Sequence, residues 1–183
     1  MEDKYAKAKH LFVKEKYNCA QAVACAFCQE TGIPEEQLRA LAASFGGGMG
    51  RLREVCGAVS GALLVLGALY GGYDPADTAA KARHYARVQE FARRFSKENG
   101  HIVCRELLKL RSGQKQSPIP DQRTSEYYAA RPCPEIVASG ARILEQMLRQ
   151  AEQEEAQQEL RDAGFLCGKR KRGVFASFLL SLF

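Results

Sequence analysis

Apolar side chains recur every three or four positions along almost the whole chain, which is the spacing typical of amphipathic α-helices. No stretch keeps the strict alternation of a half-buried β-strand. Capping residues, glycines and prolines divide the pattern into segments. The predicted helices cover residues 3–16, 18–31, 34–42, 56–70 and 74–99, and a last helix begins at Pro134. The sequence therefore predicts an all-α fold, a compact bundle of several helices.

The segment 56–70 is apolar on almost every side, whereas its neighbours have a polar face. A helix that is hydrophobic all round is typical of a protein interior, so we expect it at the centre of the bundle. With about 15 residues it is shorter than the ~20 needed to cross a bilayer. The next helix is predicted to begin at Asp74-Pro75, an N-cap followed by a first-turn proline. Its expected inward stripe is Ala82, Tyr85, Val88, Phe91, Ala92 and Phe95.

The composition changes after about residue 150. We expect one helical domain over residues 1–150, followed by a charged helical extension and a divergent tail over residues 151–183. The tail joins the basic run Lys169-Arg170-Lys171-Arg172 to an apolar end at Phe183. A basic run beside an apolar segment could bind an anionic membrane surface, and we keep this as an alternative. A tail without a fixed structure, or one docked on the core, is the reading that we favour.

The formal net charge is +6, and four of the positive charges lie in the basic run. The rest of the chain is close to neutral, which argues against a nucleic-acid-binding protein, since such domains carry a clustered basic face. No apolar stretch follows Met1 as in a secretory signal peptide, so we expect a cytoplasmic protein. Seven cysteines in that compartment indicate reduced thiols, metal ligands or redox centres rather than structural disulfides.

Four cysteines stand where helices are predicted to begin. They are Cys19, Cys56, Cys104 and Cys133. A helix N-terminus has unpaired N–H groups and the positive end of the helix dipole, both of which favour a thiolate. The effect is worth about 0.3–1 kcal/mol, which lowers a pKa by less than one unit. Activation therefore needs a cationic neighbour as well. Lys16, Arg53, Arg105 and Arg131 each lie within three residues of one of these cysteines.

The other three cysteines do not fit this pattern. Cys25 and Cys28 form a CxxC pair, but inside a predicted helix, where both face away from Cys19 at about 100° per residue. We expect them to be small buried residues. Cys167 lies in the divergent tail and is expected to be incidental.

The glycine-rich segment before Cys56 could surround the same site. Its backbone N–H groups could hold an anion, so Gly46, Gly47, Gly48, Gly50 and Gly57 are candidates for cofactor binding. The segment lacks the lysine of a phosphate-binding loop and follows no strand. We therefore favour a turn that lets the backbone approach Cys56. Gly57, Gly61 and Gly67 are also expected to allow tight helix contacts.

Several motifs stand out together along the chain: Tyr17-Asn18-Cys19-Ala20-Gln21-Ala22-Val23, Gly46 to Gly50, Cys56-Gly57-Ala58-Val59-Ser60-Gly61, Cys104, and Cys133-Pro134. In combination they resemble the C_GCAxxG_C_C family, which is described as "putative redox-active". The similarity covers about residues 5 to 150. It implies a compact helical domain with a redox role, and it implies that the four helix-start cysteines are the characteristic cysteines of the family. It implies no particular substrate.

The leading hypothesis is thiol–disulfide exchange or electron transfer at the four-cysteine site. Whether the protein is an enzyme stays open, and the candidate class is a thiol oxidoreductase. Cys56 is the expected attacking thiol, because glycines leave room for a partner, and Cys104 and Cys133 are the expected resolving pair. The partner would be an unidentified redox protein or a small thiol, and no cofactor is required. The alternative is a non-catalytic protein whose same four cysteines hold zinc or an iron–sulfur cluster. A scaffold with inert cysteines is a third, weaker hypothesis.

Overall fold

The structure is a computed structural model that describes residues 3–111 and 116–172, with the backbone alone over 164–172. Its described part is all-α, as predicted, and contains no β-strand. The helices are α1 (Lys4–Val13), α2 (Cys19–Cys25), α3 (Cys28–Thr31), α4 (Glu35–Ala42), α5 (Gly46–Met49), α6 (Gly57–Tyr70), α7 (Thr78–Asn99), α8 (Cys104–Leu107), α9 (Ser125–Ala129) and α10 (Cys133–Arg172).

Residues 1–145 form one compact unit, which contains every element from α1 to α9 and the start of α10. The second unit, residues 146–183, is helical as far as Arg172. The expected division into domains at residue 150 stays a prediction. The end of the tail, residues 173–183, and the side chains of 164–172 lie outside the described residues, so membrane contact by the tail also stays a prediction. No helix within the described ranges combines the length and the apolar character needed to cross a membrane.

Helices α2 and α6 pack backbone to backbone at the centre of the first unit. A Cβ atom placed on Gly61 would lie 2.5 Å from the carbonyl oxygen of Ala20, and one on Gly57 would lie 2.8 Å from the Cβ of Cys19. Both glycines are therefore required for the close approach, which confirms the expected role of these two residues. The same prediction is wrong for Gly67, because a Cβ there would meet nothing within 4 Å.

Helix α6 is buried along its first two turns, and Val65 and Leu66 extend the buried face. It contacts α2, α4 and α7, which agrees with the central position that its apolar sequence predicts. Its last turn, around Leu69 and Tyr70, is only partly buried.

The long helix α7 begins later than predicted. Its N-cap is Asp77, whose side chain accepts a hydrogen bond from the Ala80 N–H, while Asp74 accepts one from the Ala76 N–H in the preceding turn. The expected inward stripe is also shorter. Phe91 and Phe95 are buried, but Ala82 is exposed and Tyr85 is 56% exposed. The apolar spacing continues beyond the part of α7 that the core covers, so the pattern overestimated the buried face.

The predicted helix over 18–31 is interrupted at Ala26 and Phe27, between α2 and α3. The buried Lys4 explains how the interruption is tolerated. Its ammonium donates to the carbonyl oxygen of Ala26 at 3.0 Å and pairs with Glu30 at 2.6 Å. A carbonyl that has lost its helical partner is thus satisfied by a charged donor, as a buried polar group requires. The predicted stop at Gly32 is confirmed, with φ of 66°.

Candidate functional site

Four cysteines that are far apart in the sequence line one cavity. Cys19, Cys56, Cys104 and Cys133 surround it together with Leu107, Leu108, Ile136 and Val137. Its volume is about 10 Å³, close to the minimum that holds one water molecule. All four are free thiols. The helix starts chosen from the sequence therefore meet at a single place.

Cys19 is placed by a capping box at the start of α2. The side chain of Asn18 accepts hydrogen bonds from the N–H groups of Ala20 and Gln21, and the Gln21 side chain accepts one from the Asn18 N–H. This reciprocal pair satisfies helix N–H groups that would otherwise lack partners. The predicted N-cap role of Asn18 is thus confirmed, and Cys19 becomes the first residue of the helix.

Cys56 and Cys104 are placed by a short antiparallel contact between their two segments. Val55 pairs with Val103, the Cys56 N–H donates to the Ile102 carbonyl at 2.8 Å, and the Cys104 N–H donates to the Glu54 carbonyl at 2.6 Å. Side chains alternate between the two faces of extended backbone. Each cysteine directly follows a paired valine, so both thiols lie on the face opposite the valines.

The glycine-rich segment packs closely against Cys104 and against Asn18, the N-cap of α2. Gly48 has φ of 71°, and a Cβ on it would lie 2.7 Å from the Cβ of Cys104. A Cβ on Gly46 would lie 2.8 Å from Asn18. The segment therefore approaches Cys104 and the cap of α2, rather than Cys56 as expected. A cofactor-binding role for Gly46, Gly47, Gly48, Gly50 and Gly57 stays a prediction.

Cys133 is the first residue of α10, with Pro134 in the first turn. Its sulfur accepts a hydrogen bond from the Cys19 thiol, and this bond is the main reason that the pKa of Cys133 is lowered to about 7. The positive charges of Arg131, Arg53 and Arg123 lower this pKa further, while burial opposes the shift. The same hydrogen bond raises the pKa of Cys19 well above its usual range, because it is lost when Cys19 ionises.

The other two thiols are kept protonated. Burial raises the pKa of Cys56 to about 12, even though the N–H groups of Ala58 and Val59 at the start of α6 favour its thiolate. Burial also raises the pKa of Cys104, against a hydrogen bond and the charge of Arg53. Both side chains are almost inaccessible, with Cys56 6% and Cys104 7% exposed. These values favour Cys133 over Cys56 as the nucleophile.

The cationic neighbours differ in part from those that proximity in sequence suggested. Arg53 and Arg131 act on Cys133, as does Arg123, which the sequence analysis missed. Arg123 is held there by the carbonyl oxygens of Phe12 and Tyr17, at 3.2 and 2.8 Å. It lies ten positions before Cys133, and no local motif connects the two. Arg105 instead pairs with Glu54.

Cys25 and Cys28 are not part of the cavity wall. Cys25 is fully buried, and the Cys28 thiol donates to the Cys25 carbonyl oxygen at 2.9 Å. The expectation of a buried residue is thus confirmed for Cys25, whereas Cys28 is only partly buried. The side chain of Cys167 lies outside the described residues.

Within the part of the chain that the structure describes, no group of three or more histidine, cysteine, aspartate or glutamate side chains has the arrangement of a metal site. The cavity does bring the Cys133 sulfur, whose pKa is lowered, together with the Cys19 thiol. A thiolate can attack a disulfide, and a neighbouring thiol can then attack the mixed disulfide that results.

A protein-family model matches most of the chain. The family model described as "Putative redox-active protein (C_GCAxxG_C_C)" matches residues 17–147, a range that includes all four cavity cysteines. Searches of curated proteins and of solved structures each found no match. Because the matched range covers most of the chain, the protein belongs to the C_GCAxxG_C_C family.

Proposed function

We propose that the protein carries out thiol–disulfide exchange, with Cys133 as the attacking thiol and Cys19 as the resolving thiol. The observation that carries this proposal is that Cys19 and Cys133 line the same cavity. There the Cys19 thiol and the charges of Arg131, Arg53 and Arg123 lower the pKa of Cys133 to about 7. This arrangement provides a sulfur that is partly ionised at neutral pH and a second sulfur within reach of it. The family description agrees with a redox role and names no reaction.

In the proposed reaction, the Cys133 thiolate attacks one sulfur of a partner's disulfide. A bond forms between Cys133 and that sulfur, the partner's S–S bond breaks, and the departing thiolate takes a proton from water. Cys19 then attacks the Cys133 sulfur, the S–S bond between Cys133 and the partner breaks, and the proton of Cys19 passes to the released partner thiolate. This step forms a Cys19–Cys133 disulfide and releases the partner's second thiol. The two cysteines are oxidised by two electrons, and the partner's disulfide is reduced to two thiols.

The pKa of the Cys56 thiol is the reason that we do not assign the first attack to Cys56. At neutral pH a thiol with a pKa of about 12 is almost entirely protonated, and the thiolate is the nucleophile. Cys104 is similarly buried and protonated. We therefore assign the first attack to Cys133 and the resolving step to Cys19, and we assign no step to Cys56 or Cys104.

The test uses the reduced full-length protein and a small neutral disulfide, bis(2-hydroxyethyl) disulfide, under anaerobic conditions. Peptide mapping should find a Cys19–Cys133 disulfide in the wild type. The Cys19→Ser variant should instead accumulate a mixed disulfide on Cys133, because no resolving thiol remains. The Cys133→Ser variant should lose the fast reaction, whereas Cys28→Ser should behave as the wild type, since Cys28 lies outside the cavity wall.

Two results would overturn the proposal. One is a mixed disulfide that forms first on Cys56 in the wild type and in Cys133→Ser. The other is stoichiometric zinc or iron with all four thiols protected in the anaerobically purified protein, which would support the metal-holding alternative.

A further inference from the structure

A second cavity, of about 340 Å³, lies next to the cysteine cavity. Leu108 lines both cavities. In addition, Pro132 lines the second cavity and is followed directly by Cys133, which lines the first. Sites for small molecules are typically about 300–1,000 Å³. The second cavity can therefore hold a small molecule beside the nucleophile.

The wall of this cavity has an excess of positive charge. Arg51, Arg53 and Arg131 line it, and Asp121 is the one carboxylate among its described lining residues. Asp121 lies 3.2 Å from Arg51 and 2.9 Å from Arg131, so one negative charge is shared by two guanidinium groups. Because guanidinium groups match carboxylates in shape and charge, this wall favours an anionic ligand.

Arg53 gives the strongest indication of an anion. It is only 6% exposed, and its Nε donates to the Gln116 side chain at 3.0 Å. Among the described residues, no carboxylate forms an ion pair with it. The charge of Arg53 acts on the Cys133 thiolate and on Asp121, but Asp121 is already paired with Arg51 and Arg131. A buried charge without a close carboxylate is costly, and an anionic ligand in the adjacent cavity would lower that cost.

The backbone that carries two of these arginines is strained. Arg51 has φ of 72° and Arg53 has φ of 64°, in the left-handed region that residues with a Cβ rarely adopt. Residues in such strained conformations cluster at functional sites. The conformation places both guanidinium groups in the wall of one cavity.

We propose that this arginine-lined cavity binds a carboxylate of a low-molecular-weight disulfide, one sulfur of which then reacts with Cys133. This assignment rests on the thiol exchange proposed above and specifies its substrate class. The carboxylate lies among Arg51, Arg53 and Arg131, while the disulfide reaches the neighbouring cysteine cavity. A bond forms between Cys133 and the nearer sulfur, the substrate's S–S bond breaks, and the departing carboxylate-bearing thiolate takes a proton from water.

The first experiment compares two small disulfides of similar length. They are 3,3′-dithiodipropionate, which has two carboxylates, and bis(2-hydroxyethyl) disulfide, which is neutral. The rate with the anionic disulfide is divided by the rate with the neutral one. This ratio for the protein is then divided by the same ratio for free 2-mercaptoethanol, which corrects for the intrinsic reactivity of the two disulfides. We expect the corrected ratio to be at least about tenfold in favour of the anion, since charge complementarity accelerates encounter and retains the ligand.

The matched variants each remove one positive charge. Arg51→Gln should lower the corrected ratio several-fold, because Arg51 lines the cavity. Arg93→Gln is the control, because Arg93 lies on the exposed side of α7 and pairs with Glu90. It should keep the ratio of the wild type. An anion preference that is absent in the wild type, or that Arg93→Gln lowers as much as Arg51→Gln does, would overturn the proposal.

A second measurement, of binding by calorimetry, needs neither a variant nor a reacting thiol. Suberate has the length of 3,3′-dithiodipropionate, with two methylene groups in place of the sulfurs, and 1,8-octanediol is its neutral counterpart. Titration calorimetry with the wild type should detect binding of suberate, which should also slow the reaction of Cys133 with the anionic disulfide. The diol should do neither.

The outcomes separate the two proposals. If the neutral disulfide reacts at Cys133 but suberate neither binds nor inhibits, the carboxylate site is wrong and the exchange function stands. If suberate binds but neither disulfide reacts, the exchange function is wrong and with it the assignment of a disulfide as the ligand.

Discussion

Gly48 and Cys104 lie so close together that a Cβ atom on Gly48 would be 2.7 Å from the Cβ of Cys104. The next nearest atoms, the Glu54 nitrogen at 3.0 Å and the Arg53 carbonyl carbon at 3.1 Å, belong to the backbone. None of these atoms can move away by a change of side-chain rotamer. The glycine-rich segment thus fixes the position of one of the four cavity cysteines.

Gly48→Ala should therefore displace Cys104 and destabilise the protein more than Gly50→Ala does. Both glycines have positive φ, of 71° and 61°, so both alanines carry a backbone cost of about 1–2 kcal/mol. A Cβ on Gly50, however, would meet only the Ser44 carbonyl oxygen at 3.9 Å. Overpacking should add about 1–3 kcal/mol at Gly48 alone. Urea unfolding of the two variants measures the difference, and equal destabilisation would contradict the prediction.

Gly61→Ala and Gly67→Ala should have opposite effects, although both add a methyl group to α6. At Gly61 the new Cβ would lie 2.5 Å from the Ala20 carbonyl oxygen, so α2 and α6 must separate. We expect a loss of about 1–3 kcal/mol. At Gly67 the Cβ meets nothing, and alanine should raise the free energy of unfolding by about 0.5–1 kcal/mol through its helix propensity. Thermal and urea unfolding check both signs. A stable Gly61→Ala protein would show that the two helices can move apart at little cost.

Much of the fold was predictable, because helices here follow from local signals. The capping residue Asn18, the stop at Gly32 and the apolar α6 each mark their element in a short stretch of sequence. The break between α2 and α3 was not predictable. It depends on Lys4, a residue more than twenty positions away that satisfies the freed carbonyl.

The four cysteines that line the cavity were predictable from the sequence, but the pKa values of their thiols were not. Helix starts identified the four cysteines, but the pairing of Val55 with Val103 and the contact of Cys19 with Cys133 are tertiary. Burial raises the pKa of Cys56 to about 12, whereas the Cys19 thiol and three arginines lower that of Cys133 to about 7 against its burial. The sequence displays neither environment directly. For that reason the expected attacking thiol and the favoured one differ.

Removal of the hydrogen bond from Cys19 should raise the pKa of Cys133. The rate of alkylation of Cys133 by iodoacetamide should reach half its maximum near pH 7 in the wild type. In Cys19→Ala the midpoint should rise by at least about one pH unit, because a hydrogen bond to a charged group is worth about 1.5–3 kcal/mol. Cys19→Ser should restore part of the shift, since the hydroxyl can donate. Mass spectrometry assigns the alkylated residue at each pH, with Cys28→Ala as the control. An unchanged midpoint in Cys19→Ala would show that the arginines alone lower this pKa.

The free energy of unfolding of the reduced protein should rise between about pH 7 and pH 9 and fall above that range. The folded pKa of Cys133 is about 7 against an ordinary 9.0, so its stabilising contribution is present above pH 9 and is lost as the pH falls through 7. Cys19, Cys56 and Cys104 have raised pKa values, so their contributions are lost as the pH rises past 9.0. Cys133→Ser should remove the rise, which is of order 2 kcal/mol, and should keep the fall. Cys28→Ser should keep both. Urea unfolding in the presence of reductant, from pH 6 to 10, measures each profile. If the Cys133→Ser protein still gains the full stability between pH 7 and 9, that gain belongs to another group.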